Sequence, residues 1–516
     1  MTAAAAGEPV VPHRALITVC AMIATLMQAL DSTIANVALP YMQGSLSATY
    51  DQITWVLTSY VVAAAIMTAP VGWLAARFGR KNLFMLCLVG FTVTSMMCGI
   101  AQSLPQMVLF RLAQGVFGAA LVPLSQALML DIYPPAMRGT AMAVWGMGVM
   151  VGPILGPTLG GYLTDVYNWR WVFYVNLPFG VLAVAGLALF MPKSPINPAL
   201  RFDWTGFGVL ALGIGALQMM LDRGQDKDWF SSREIITEAV LAGLGIYLFV
   251  VHLLTAQKPF ITPRIFRDRN FSASLAMMFA VGVVLLATSA LLAPWLQTLG
   301  GYPVATAGLV MAPRGIGTMA CMLIAGKLTT RVDPRKIMAF GLLLLIWSLY
   351  ESTTWTPDLD RWSLIMVLMV QGAALGFVFI PLQVVAFATL EVPLRTEGTA
   401  LLSLLRNVGS AIGISVTSAL LARNVQVMHS ELGAYINPFN RALQGGGAVS
   451  HLLDPGRTAG AEVLDAIINN QAQIIAYVDD YKFMMLTTLP ALLLLFVMRR
   501  PGTPPAKAEG HAAVID

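Results

Sequence analysis

The sequence predicts an all-α polytopic membrane protein with fourteen transmembrane helices, and three observations carry that expectation. Of its 516 residues, 57% are hydrophobic and only 11% charged, with a mean hydropathy of +0.73. A soluble domain carries about 25% charged residues, and a chain this apolar cannot clothe a water-facing particle. Apolar runs near the ~20 residues needed to cross a bilayer recur along the whole length, while the short alternating segments of a membrane barrel are absent. Finally, basic residues alternate between successive connections as the positive-inside rule requires.

The spans follow in order. A first set covers 15–39, 53–75, 82–101, 106–130, 139–162 and 171–191, and an inserted pair covers 205–222 and 235–255. A second set covers 271–295, 305–327, 337–355, 362–386, 399–421 and 482–498. The expected domains are an N-terminal six-helix half over 1–191, two inserted helices within 192–258, a C-terminal six-helix half over 259–500 and a tail over 501–516. With the first residues inside, nineteen Lys and Arg fall in inner segments and five (Arg170, Arg223, Lys227, Arg233 and Arg361) in short outer loops. That asymmetry places both termini in the cytoplasm.

One outer connection stands apart. Residues 422–481 read as a 60-residue loop with turn signals at Asn437-Pro438 and Asp454-Pro455, a Gly445-Gly446-Gly447 run and a short amphipathic helix over 459–478. It is either a tolerated insertion or, as loops of this length more often are, a functional surface for an external partner.

The chain also echoes itself. Gly72-Trp73-Leu74-Ala75-Ala76-Arg77 with Arg80-Lys81 pairs with Gly326-Lys327-Leu328-Thr329-Thr330-Arg331 with Arg335-Lys336. Gln114-Gly115 before Pro123-Leu124 pairs with Gln371-Gly372 before Pro381-Leu382, and Arg138-Gly139-Thr140-Ala141 with Glu397-Gly398-Thr399-Ala400. The echoes fall in order at equivalent spans, so two parallel halves are expected, related about the membrane normal around a central cavity. That is a transporter architecture.

Ionisable residues inside spans are costly and therefore informative. Within the spans one acid, Asp31, is expected against three arginines, Arg111, Arg314 and Arg406, with His252 near a span end. Counting along the helices at 1.5 Å per residue puts Asp31, Arg111 and Arg314 roughly 9–14 Å below the outer edge. An Asp31–Arg111 pair is therefore allowed. It would either lock two helices together or couple transport to protons, because burial and a nearby guanidinium push a carboxyl's proton affinity in opposite directions. Gln28, Asn36, Gln114 and Gln126 are further polar side chains inside spans and, with Asp31 and Arg314, are the candidate substrate-binding residues. In the fifth span Gly148, Gly152, Gly156 and Gly160 recur every four residues with Pro153 and Pro157 between them. Glycine spacing gives a packing groove, and the two Gly-Pro steps favour a face that moves.

No enzyme is expected. There is no nucleophile–base set, and Gly146, Gly148 and Gly152 lie inside a span, where they cannot cradle a phosphate. Cys20, Cys87, Cys98 and Cys321 sit in apolar runs without paired spacing. Neither a metal nor another cofactor is expected.

Together these motifs resemble the major facilitator superfamily, and within it the fourteen-span drug:proton antiporters of the EmrB/QacA type. The span-1 stretch from Leu30 to Pro40 looks like that family's acidic motif, Arg111 with Gln114-Gly115 like its basic motif, and Gly152-Pro153-Ile154-Leu155-Gly156-Pro157 like its antiporter motif, to which Gly148 adds. Trp169-Arg170-Trp171 through Asn176-Leu177-Pro178, Leu221-Asp222-Arg223-Gly224 and Asn437-Pro438-Phe439-Asn440 are similar to its EmrB branch. The resemblance implies Asp31 and Arg111 as the proton-coupling pair. It makes Gly72, Arg77, Gly79 and Arg80 the cytoplasmic gate, with Ala76 where the family usually has Asp, so the charge relay of that gate is incomplete. It further implies a bacterial inner-membrane location and a tripartite pump completed by a periplasmic adaptor of the EmrA type and a TolC-like outer-membrane channel. Three arginines against one acid favour an anionic or weakly acidic hydrophobic compound over a cation, a description that fatty acids, uncouplers and acidic antibiotics fit. The competing readings are a proton-coupled importer of a small nutrient and a non-transporting membrane scaffold.

Overall fold

A computed structural model describes residues 12–134, 137–436, 453 and 457–499. Its long helices are α1 (Arg14–Ser45), α2 (Trp55–Thr68 continued by Val71–Phe78), α3 (Arg80–Ile100), α4 (Leu104–Gly118 continued by Leu121–Ile132), α5 (Arg138–Val166), α6 (Trp171–Tyr174 continued by Asn176–Phe190), α7 (Trp204–Arg223), α8 (Arg233–Thr255), α9 (Arg269–Thr298), α10 (Val304–Leu328), α11 (Pro334–Ser352), α12 (Arg361–Ala388), α13 (Arg395–Gly433) and α14 (Thr458–Val497). Among the described residues there is no strand. Among the described residues twelve helices are long and apolar enough to cross a membrane, and the two pieces of α2, bent by 60°, make a thirteenth if they form one span. α11 lies where the remaining span was expected, but with Arg335 and Lys336 at one end and Glu351 at the other it is not among them.

Local chemistry explains the helix ends and breaks. Asp203, Asp268, Asp333 and Asp360 cap α7, α9, α11 and α12 by accepting from the amides of Gly206, Phe271, Arg335 and Trp362 at 2.9–3.1 Å. α2 bends at Pro70, which has no amide to continue the ladder. Gly79 turns the chain into α3 at φ +82°, a conformation that side chains with a Cβ rarely adopt. Leu189, Leu254 and Phe496 stand exposed on the perimeter, as a lipid-facing surface requires.

The internal repeat reappears in packing. α1 packs on α5, α4 and α6 as α9 packs on α13, α12 and α14; α3 packs on α4 and α6 as α11 packs on α12 and α14. Lys81 Nζ donates to the Met191 carbonyl at 2.5 Å, and Arg335 Nη1 to the Met498 carbonyl at 3.0 Å, so the paired basic motifs close equivalent helix ends. The halves meet through α5 against α10 and through α13 against α2 and α4. α7 and α8 cross where Gly213 and Gly245 let their backbones touch, and α7 lies against both α2 and α13.

The expected loop over 422–481 is mostly helix. α13 runs on to Gly433 and α14 starts at Thr458, giving helices of 39 and 40 residues that at ~1.5 Å per residue outreach a ~30 Å bilayer core. The separate amphipathic helix expected over 459–478 is the first half of α14. His429 and Asp465 join the two extensions at 2.9 Å. Asn437-Pro438, Gly445-Gly446-Gly447, Asp454-Pro455 and the tail over 501–516 lie outside the described residues.

Candidate functional site

A buried polar cluster is built on α1, α2, α4 and α6 of the N-terminal half. Asp31 of α1 is fully buried, and its Oδ2 lies 2.7 Å from Arg111 Nη1 of α4. Its Oδ1 accepts from Gln114 Nε2 at 2.8 Å and from Asn176 Nδ2 at 3.3 Å. The same Arg111 nitrogen also donates to Gln114 Oε1 at 2.9 Å, while Nε donates to the Val56 carbonyl at 3.1 Å. The Tyr60 ring covers the guanidinium, 4.2 Å from its centroid, and Phe173 flanks it at 5.7 Å. A buried carboxylate needs this many donors to stay charged. Without Asp31, Arg111 would keep only Gln114 and the Val56 carbonyl as hydrogen-bond partners.

The glycine stripe of α5 packs behind that acid. A Cβ on Gly152 would lie 2.6 Å from Ala29 Cβ and 2.8 Å from the Leu30 amide, and one on Gly160 2.8 Å from Ile34 Cγ1; Gly156 abuts Thr33 and Gly148 abuts Met22. α5 is thus pressed onto the turn of α1 that carries Asp31. Pro153 faces away and is exposed, and α5 stays helical past both prolines. The side chain of Pro157 lies outside the described residues.

The remaining candidates fall into separate places. Gln28 Nε2 reaches the Tyr60 hydroxyl at 3.4 Å, one contact removed from Arg111. Gln126 pairs with Gln383 of α12 across the two halves. Asn36 is exposed and joins none of these groups. Arg314 is buried in the C-terminal half, where it donates to Ser289 Oγ at 2.8 Å, Thr288 Oγ1 at 2.6 Å and the Leu285 carbonyl at 3.1 Å. Leu285 also lines a small apolar cavity between the halves with Met150, Val281, Thr318, Met322 and Phe379.

At the end from which α1 sets out, Gly72 packs on the Cα of Glu397 and Gly326 on the carbonyl of Gly139. These repeat-related glycines thus seal both inter-half seams at one level. Arg80 forms an ion pair with Asp131 at the end of α4, which also lies 3.5 Å from Arg395 of the other half. The position of Ala76 is exposed, and the acid at this end comes from Asp131 instead. Arg77 Nη1 is buried without a hydrogen bond.

Two sequence expectations need correcting. Asn176, Ser95 and Tyr60 were not among the candidate side chains, although Asn176 links Asp31 to Ser95 Oγ at 3.0 Å; a polar residue opening an apolar helix was the available signal. The count of one buried acid is too low, because Glu238 and Asp480 are 8% and 0% exposed.

A sequence model of the Major Facilitator Superfamily matches residues 21–414. The chain belongs to this superfamily. It is accordingly a multi-pass transporter and not an enzyme. It is 37% identical over 432 residues to the multidrug export protein EmrB of Escherichia coli K12, covering 82% of this chain and 83% of that one. It is 36% identical over 458 residues to the fatty acid resistance protein FarB of Neisseria gonorrhoeae, covering 88% and 89%. Its fold matches the human organic anion transporter MFSD10 with a TM-score of 0.56 at 14% identity, over 92% of this chain and 100% of that one. A bacterial homologue of the lysosomal transporter Spinster, inward-facing, gives 0.54 at 19%, over 95% and 98%.

Proposed function

We propose that this transporter exports hydrophobic and amphipathic drugs, lipophilic weak acids among them, in exchange for protons. The observation that carries the reading is the Asp31–Arg111 pair, buried at 2.7 Å beside Gln114 and Asn176. One charge moving through ~100 mV is worth ~2.3 kcal/mol, enough for a roughly fifty-fold gradient of a neutral solute. The relatives named for multidrug export and fatty acid resistance support the cargo class. Arg314, buried among hydroxyls beside an apolar cavity, supports the acidic part of it.

In this reading all fourteen helices span the bacterial inner membrane, α11 included, with both termini in the cytoplasm. The protein works as the inner-membrane part of a tripartite pump with an EmrA-type adaptor and a TolC-like channel. The paired extensions of α13 and α14 carry exposed Val427 and Ile467, and exposed Tyr435 follows α13 directly, a surface suited to the adaptor. Binding of a purified adaptor that survives Tyr435→Asp with Ile467→Asp would remove this surface from the proposal.

The deciding experiment uses liposomes with an imposed pH gradient, a trapped pH dye and dodecyl sulfonate as an anion that carries no proton itself. Probe-dependent proton flux that vanishes in Asp31→Asn is expected. Equal flux in the two proteins would move coupling away from Asp31, and uptake driven by inward protons would turn the reading to import.

A further inference from the structure

The C-terminal half contains a second buried acid that the proton-coupling pair does not use. Asp480 of α14 is fully buried, and both of its carboxylate oxygens lack a hydrogen-bond partner among the described residues. The next residue, Tyr481, has an unpartnered hydroxyl, and Trp355, which packs on its ring, an unpartnered Nε1, in residues 2% and 3% exposed. The Trp355 ring packs edge-on against Tyr481 at 5.5 Å and against Trp295 of α9 at 5.2 Å. A buried carboxylate that accepts nothing cannot remain an anion cheaply, so this arrangement suits the neutral, protonated acid.

The repeat places this acid in a functional context. Gly115 lets α4 meet α2 at the Tyr60 carbonyl, and Gly372 lets α12 meet α10 at the Arg314 carbonyl. Arg314 therefore occupies the position that Tyr60 holds in the first half, where Tyr60 covers Arg111. In the second half the roles are exchanged: the arginine stands on α10, and the aromatic beside it is Tyr481, its electrostatic neighbour. Counting from the inner helix ends, Arg314 lies at ~21 Å and Asp480 at ~25 Å, about one turn apart in depth. The first half has an acid and an arginine joined. The second has both in reach of one tyrosine, with Arg314 on neutral oxygens and Asp480 on nothing.

We propose that Asp480, with Tyr481 and Trp355, is a second proton-binding centre whose charge state decides whether Arg314 is free to take an acidic substrate. With Asp480 protonated, Arg314 stays on Ser289, Thr288 and the Leu285 carbonyl and presents its charge to an anion headgroup. When Asp480 gives its proton to water, the new negative charge acts through Tyr481, which neighbours both groups, and weakens the hold of Arg314 on that headgroup. The inference deepens the proposed function and rests on its acidic-cargo reading.

The neighbours leave few other titrating groups. On α14 these are Tyr477 and Tyr481, with Asp479 turned outward onto Lys482 at 3.2 Å. α9 contributes Trp295 and α11 is followed by Trp355, with Glu351 as its one acid. α13 carries Arg406 and Arg423, neither in an ion pair among the described residues, and α10 supplies Arg314.

The test measures dodecyl sulfonate binding to the purified full-length protein between pH 5 and 8, where the probe's own charge is constant. In the wild type its Kd should rise by up to about tenfold per pH unit once Asp480 ionises, the limit for one competing proton. Asp480→Asn should bind with a flat profile, Tyr481→Phe should shift the profile, and Arg314→Gln should lose binding at every pH. A slope unchanged in Asp480→Asn, or abolished only by Asp31→Asn, overturns the proposal. Infrared difference spectra give a readout independent of cargo. Between pH 5 and 8 one protonated-carboxyl component should be lost in Asp480→Asn and retained in Asp31→Asn, and a difference spectrum unchanged in Asp480→Asn overturns the proposal even where proton flux through Asp31 is intact. Asp480→Glu should restore both signals if folding alone is spared.

Discussion

Asp31 and Arg111 share one buried charge balance, and each is a liability without the other. Removing one member of a buried pair costs ~3–5 kcal/mol, because the survivor keeps its desolvation penalty. Asp31→Asn and Arg111→Gln should therefore each lower the thermal unfolding midpoint in detergent, and the double variant should recover part of the loss. Strict additivity would mean that the two side chains do not depend on each other. This pair was legible in the sequence because a charge inside an apolar run has few places to go, and helix depth matched the two partners. Asn176 was harder to see. It lies within the expected sixth span, where a single amide side chain reads as an ordinary interhelical hydrogen bond, and only the fold swings it onto Asp31. Asp480 escaped for another reason, since a mixed polar stretch around it read as a loop and hid the helix that buries it.

At the scale of helices, the fifth span shows how a four-residue glycine period becomes a working contact. Gly152 has no room for a methyl against Ala29 and Leu30, whereas Gly161, on the other face of α5, has nothing within 4 Å. Gly152→Ala should thus cut efflux severalfold and lower thermal stability. Gly161→Ala should do neither, and gains up to ~1 kcal/mol of helix preference. Matching effects of the two would show that the seam is not what the spacing encodes. α7 offers a titratable contact. Burial raises the proton affinity of its cap Asp203, but the amides of Gly206 and Phe260 and the His252 ring outweigh it and hold the carboxyl below its usual range. A lowered folded value means the cap contributes fully above the ordinary carboxylate pKa of about 4 and is lost as pH falls through the lower folded value. Hydrogen exchange in the first turn of α7 should accelerate below about pH 4 in the wild type, and already be fast at pH 7 in Asp203→Ala. Hydropathy located these membrane-crossing segments well. It misjudged α13 and α14 where they leave the membrane, because a helix in water needs no apolar run, and α11 carries charges at both ends.

Across the whole molecule the two halves are closed at one end. Gly72 on Glu397 and Gly326 on Gly139 seal the seams where the short repeat motifs lie, while Gly161 and Gly308, toward the opposite ends of α5 and α10, meet no neighbour. The repeat was readable as three weak sequence echoes, but its purpose was not, since each glycine makes sense only against the half it does not belong to. Closure at this end is assisted by Asp131, which ties Arg80 of its own half to Arg395 of the other. These pairs are partly exposed, so each is worth only about 0.5–1 kcal/mol. Together they can bias the open and closed arrangements by about tenfold. Asp131→Asn should release that bias. In a chain whose four native cysteines are replaced, Ala143→Cys lies beneath Gly326 at the sealed seam and should react with a thiol reagent about tenfold faster once Asp131 is neutralised. Equal labelling rates would assign the closure to glycine packing alone and leave Asp131 as a surface charge, because an ion pair that holds a gate must change the gate's population when it is removed.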